Sequence, residues 1–173
     1  KSEEELRKLV RELEELIERM ERTNEKLLRE LKEVLDRARE RNEELVRRLE
    51  DLIRRLPVDK DTVEELKRLI EELKRKSEEI LRRLEKKLRD HRREVKKLAD
   101  DLRRKIKELE DKLKDLREEE LRKEAEDLIR EIEEKVRRSK RNLEELIREI
   151  RELVERSEDE WRKLIKRIAD AVK

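Results

Sequence analysis

The amino-acid sequence predicts an all-α fold, an antiparallel three-helix bundle of long, nearly straight helices with little or no supercoil. Three observations lead there. The 173 residues include no Gly and a single Pro, where average proteins carry about 7% Gly and 5% Pro, so connections must be few and short. Apolar residues recur every 18 residues along the chain. Two interruptions of that rhythm cut the chain into three segments of similar length, expected as helices over about 2–56, 60–114 and 117–172 of one bundle spanning 1–173.

In the first segment Leu9, Val10, Leu13, Leu16, Ile17 and Met20 return 18 residues later as Leu27, Leu28, Leu31, Val34, Leu35 and Ala38. They return again as Leu45, Val46, Leu49, Leu52, Ile53 and Leu56. Stepping by seven from Leu6 instead runs into Arg41, Arg48 and Arg55. The difference has a structural consequence. A strict heptad drifts about 20° per repeat on an ideal helix and forces a left-handed supercoil. Five whole turns at about 3.6 residues per turn return to the same face with no drift.

The first segment ends at "RRLPVDKDTVEEL". Pro57 cannot continue a helix and turns Leu56 away from helical angles. Asp59 or Asp61 then caps the next helix, and Asp61 with Glu64 has capping-box spacing. The middle segment keeps the 18-residue phase through Leu66, Leu84 and Leu102, through Ile70, Leu88 and Ile106, and through Ile80, Leu98 and Leu116. Its end, "KLKDLREEELRKEAEDL", has neither Pro nor Gly. The sign of a turn is a phase break: Arg117, Glu120 and Glu124 stand where apolar residues are due, and Leu121 and Ala125 open a new frame. Asp115 with Glu118 repeats the capping signature, and one long bent helix is the competing reading. The last segment carries Ile129, Ile147 and Ile165, then Ile132, Ile150 and Ile168, then Val136, Val154 and Val172.

Six polar residues fall on this apolar grid. Asn24 and Asn42 share the phase of Leu6, Ser77 that of Val95 and Leu113, and His91 that of Leu73 and Leu109. Ser139 and Ser157 share the phase of Leu121. In antiparallel neighbours the numbers of facing residues add to a constant total. Pairing on that basis sorts the six into two layers, Asn24/His91/Ser139 and Asn42/Ser77/Ser157. It also places the turns near residues 57–60 and 115–117, where Pro57 and the phase break lie. A buried polar group without a partner costs about 1–3 kcal/mol, whereas a satisfied one is nearly neutral. Each layer therefore favours the one register in which donors meet acceptors, as an Asn does in a coiled-coil seam. The plain alternative is that these side chains sit at the edge of the stripe and meet water.

The composition argues against several function classes. Net charge is +2 although 61% of residues are charged, and both signs alternate everywhere, so no basic surface for nucleic acid is expected. No apolar run approaches the ~20 residues of a membrane span or the ~7–15 of a signal sequence. With no Cys, disulfide, Fe–S and thiol chemistry are excluded, and no compartment is assigned. His91 and Glu94 have a spacing that can hold a metal, but bundle metal sites draw ligands from several helices, and there is no second His. Neither a metal nor a cofactor is expected. No phosphate loop or nucleophile motif occurs, and an enzyme is not expected. Trp161, in phase with Ala125 and Leu143, is expected as a residue at the core edge.

These features resemble computationally designed helical bundles built from parametric backbone equations: Glu/Lys/Arg surfaces, a Leu/Ile/Val core, a Pro-Asp connection and near-copied blocks such as "EELIREI" and "EDLIREI". The 18-residue repeat is similar to that of the untwisted three-helix members. The resemblance covers the whole chain. It implies a structural scaffold with no natural activity, high stability from idealised geometry, and no required partner, with a monomer expected. The alternative is a helix-binding or self-associating module.

Overall fold

In the computed structural model, which describes residues 2–171, the chain is a three-helix bundle. Helix α1 spans Ser2–Arg55, α2 Lys60–Asp111 and α3 Glu118–Ala171, with a short 3-10 turn over Lys112–Lys114. Among the described residues there is no strand, and the all-α class expected from the periodicity is the class observed. Val172, expected to extend the valine series, lies outside the described residues.

The helices end within a few residues of the expected boundaries, and the differences have local causes. At the first connection, Leu56 N–H still donates to Ile53 O at 3.3 Å, closing α1 one residue before Pro57. Asp59 is the cap of α2: its Oδ1 accepts from Thr62 N–H at 3.3 Å, and its carbonyl accepts from Val63 N–H at 3.1 Å. Hydrogen bonds from the Thr62 side chain and then from its backbone N–H hold the Asp59 carboxyl below its ordinary value. Asp61, the other candidate, is not the cap, because the helix already starts at Lys60 and so includes it.

The second connection corrects the expectation for Asp115. Asp115 lies in the turn but does not cap α3. Its N–H donates to Lys112 O at 3.1 Å, Leu116 N–H donates to the same carbonyl at 3.2 Å, and α3 begins only at Glu118. Arg117 takes the cap position through its backbone, with its carbonyl accepting from Leu121 N–H at 2.9 Å. Glu118, Glu119 and Glu120 then fill the first turn, where acidic groups meet the positive end of the helix dipole. No described residue has positive φ, so both connections are made without the left-handed position that usually calls for Gly.

The chain divides into two compact units, each containing part of all three helices. The first comprises α1 up to Arg29 together with Arg89–Glu145, and the second comprises Glu30–Leu88 with the chain from Leu146 onward. Helix directions follow from cross-helix contacts. In the first unit Glu21 pairs with Arg103 and Glu25 with Arg92, while Lys105 pairs with Glu131 and Lys112 with Glu124. In the second, Arg39 pairs with Glu85, and Lys87 pairs with Glu149. In the first unit, and between Lys87–Glu149 and Ser77–Ser157 in the second, one number of a pair rises as the other falls, so successive helices are antiparallel.

Burial follows the 18-residue spacing of the sequence. On α1, Ile17, Leu35 and Ile53 are 0, 0 and 1% exposed. On α3, Ile132, Ile150 and Ile168 are fully buried. On α2, Leu66, Leu84 and Leu102 are all buried. A buried face that returns every five turns keeps to one side of its helix. Each fully buried Leu or Ile contributes about 1.5–3 kcal/mol of transfer free energy. The first unit's core gathers Ile17, Met20, Ala99, Leu102, Ile106 and Ile132, and the second's gathers Ile53, Ile70, Leu73, Trp161 and Ile168.

Candidate functional site

The six polar residues on the apolar grid are the natural place to look for chemistry. Each unit contains three of them, and the structure treats the three differently. In the first unit Asn24 and His91 are buried and joined: His91 Nε2 lies 2.8 Å from Asn24 Oδ1. Because an amide oxygen only accepts, Nε2 carries the proton and Nδ1 is left as an acceptor in the neutral ring. The Asn24 amide is oriented from its other end, where Nδ2 donates to Met20 O at 2.8 Å. Ser139 is also buried, but its Oγ has no hydrogen-bond partner and so joins neither Asn24 nor His91.

In the second unit Ser157 Oγ lies 3.2 Å from Ser77 Oγ, with Ser77 buried and Ser157 half-buried. Asn42, expected in the same layer, is half-buried, and among the described residues it makes no side-chain hydrogen bond to either serine. One cross-helix pair forms in each unit, then, and the third member of each expected layer stands outside it. The pairs are α1–α2 in one unit and α2–α3 in the other, so both involve the middle helix.

Burial disfavours the charged imidazole and lowers the His91 pKa, and the nearby Glu94 carboxylate opposes that shift. His91 has the hydrogen-bonding environment of a structural neutral histidine. No cluster of three or more His, Cys, Asp or Glu suited to a metal occurs among the described residues, and no described helix is long and apolar enough to cross a membrane. A surface depression of about 850 Å³ in the first unit is lined by Glu3, Arg7, Glu14, Glu110, Asp111 and Lys114, among others. Its acids and bases are intermixed and it is open to solvent.

Sequence reasoning missed two things. Trp161 is fully buried rather than at the core edge. It packs with Val46, Leu49, Ile53 and Ile70, and its indole N–H has no acceptor. The signal was available, since Ala125 and Leu143, its equivalents on the grid, are buried too. The second is a set of cross-helix ion pairs on positions that read as solvated faces. Arg39 meets Glu85 at 2.6 Å and Glu78 at 3.3 Å. Burial opposes the Arg39 charge, and the two carboxylates more than offset it, holding the guanidinium above its ordinary value. Arg103 bonds Glu21, and Glu131 bridges Lys105 and Lys135. The bonds from Lys105 and then Lys135 hold the Glu131 carboxyl below its ordinary value.

No protein family, curated protein or solved structure matches the chain.

Proposed function

We propose that the chain is a structural scaffold of designed origin, without a biochemical reaction of its own, in which buried polar side chains fix the register of otherwise interchangeable apolar helices. The observation that carries this reading is the buried Asn24–His91 hydrogen bond. It spends two core positions, filled by Leu6, Leu73 and Leu109 elsewhere on the grid, on a contact that contributes specificity rather than burial. The contact satisfies one orientation of the pair and leaves an orphan donor in others. The 18-residue copying of most apolar positions makes such a device useful, because Leu, Ile and Val alone discriminate poorly between registers. Idealised helices with short, unstrained connections support an expectation of a guanidinium midpoint above about 5 M.

Sedimentation equilibrium from micromolar to near-millimolar protein tests the reading. A scaffold complete in itself has the mass of one chain, 21.6 kDa, at every concentration. A mass that climbs with concentration would replace this reading with a self-associating module.

A further inference from the structure

Two of the cross-helix charge clusters on the α1–α2 seam occupy equivalent positions one repeat apart, with their signs exchanged, whereas Glu25 with Arg92 has Glu43 and Lys74 as its equivalents and keeps its sense. Eighteen residues separate Glu21 from Arg39 on α1, and the same spacing separates Glu85 from Arg103 on α2. Glu21 bonds Arg103 in the first unit, and Arg39 bonds Glu85 in the second. Arg39 also contacts Glu78, whose equivalent one repeat later is Lys96, another exchange of sign. We propose that this inversion rejects pairing of α1 with α2 when the two are displaced by one full repeat, a displacement that arises when helices of two copies of this chain meet.

The apolar core cannot reject that displacement. Moving α1 by one repeat replaces Ile17 with Leu35 and Leu13 with Leu31, all buried apolar residues. The buried polar residues oppose it only in part. In one displacement Asn42 takes the place of Asn24 opposite His91 while Asn24 moves to the level of Leu109, and in the other Asn24 reaches the level of Ser77 while Leu6 comes opposite His91. The seam changes fully: Arg39 then faces Arg103, or Glu21 faces Glu78 and Glu85. These side chains are half-buried, where like charges held together are screened less than at a fully exposed site. Within one molecule the short connection at Pro57 already forbids the shift. Between copies no connection does, and there the seam adds its like-charge contacts to the misplaced polar groups.

The α2–α3 seam lacks the inversion. Lys105 pairs with Glu131 and Lys87 with Glu149, the same sense in both repeats, so displacement there keeps Lys opposite Glu. Discrimination of a one-repeat shift rests on α1 and α2.

The test removes the inversion while keeping the cross-helix pairs of Arg39 with Glu78 and Glu85, and of Glu21 with Arg103, complementary. Arg39→Glu, Glu78→Lys and Glu85→Arg together give both repeats one sense, and Glu21→Arg, Lys96→Glu and Arg103→Glu do the same from the other side. Wild type and both triple variants are unfolded in guanidinium at high protein concentration and refolded by dilution. The oligomer fraction is then read by sedimentation velocity. In-register helix exchange contributes equally to all three, so the difference reports displaced pairing. The expected result is an unchanged unfolding midpoint with about a fivefold rise in oligomer in each variant, the ratio that ~1 kcal/mol gives. An oligomer fraction equal to wild type in a variant of native midpoint overturns the proposal. So does loss of the native midpoint in both variants, since the two clusters would then not be interchangeable. The comparison is with wild type, so the result is independent of whether wild type itself associates at equilibrium.

Discussion

Replacing Asn24 and His91 by Leu, singly and together, measures what the buried amide–imidazole contact contributes. Leu fits the shape of both sites, since Leu6 fills the position of Asn24 one repeat earlier and Leu73 and Leu109 fill that of His91. Asn24→Leu leaves the His91 Nε2–H, now bonded at 2.8 Å, buried without an acceptor, which costs about 1–3 kcal/mol. The new Leu returns part of that through burial at about 25 cal/mol per Å², so a net loss of about 1 kcal/mol is expected. The Asn24 Nδ2 bond to Met20 O adds little, because that carbonyl remains within the backbone ladder of the helix. His91→Leu orphans Asn24 Oδ1 and is expected to cost a similar amount. The double variant removes both polar groups and should match or exceed wild type in stability. Guanidinium unfolding of the four proteins closes the cycle, with an expected coupling of about 2 kcal/mol. Additive single effects, or a double variant less stable than either single, would refute the claim that the two groups satisfy each other.

Acid sensitivity follows from the same histidine. Its folded pKa lies below the unfolded value of ~6.5, so between the two the unfolded chain binds more protons. The His91 contribution to stability is full above pH ~6.5 and falls as pH drops through that value toward the folded pKa; unfolding midpoints measured across that range should fall in wild type but not in His91→Leu. Ser139→Ala removes a buried hydroxyl that has no partner and should leave stability unchanged or raise it by about 1 kcal/mol in guanidinium unfolding. A loss of more than that would mean that the hydroxyl is bonded. Trp161, fully buried among aliphatic side chains, should emit at the blue end of the tryptophan range and resist iodide quenching until the bundle unfolds. Red-shifted, readily quenched emission from the native protein would show an exposed indole.

Much of the fold was legible because its determinants are local and repeated. The 18-residue apolar grid marked the face that is buried on each helix, and Pro57 marked the first connection. The second connection carries no residue that forbids helix; a broken phase located it, but the backbone bonds of Lys112 and Arg117 decide where α3 starts, and no side chain announces them. The polar residues were legible as exceptions to the grid, and their contacts only partly. Asn24 with His91 and Ser77 with Ser157 meet as the constant-total rule places them, whereas Ser139 and Asn42 do not, because facing residues fixed to within a turn, some 5 Å, are not fixed to within a hydrogen bond. The ion pairs were illegible for a different reason. Where three residues in five are charged, any position has a complementary neighbour, and only packed helices show that Arg39 and Arg103 reach across the seam.

Register is the point on which the rest turns, and the most direct measurement of it is an NMR spectrum of the His91 ring in the folded protein. A slowly exchanging proton on Nε2, with nuclear Overhauser contacts from the ring to the side-chain amide of Asn24, is the expected result. Contacts to the amide of Asn42 in place of Asn24, or a ring protonated on Nδ1 and exchanging freely with solvent, would contradict it.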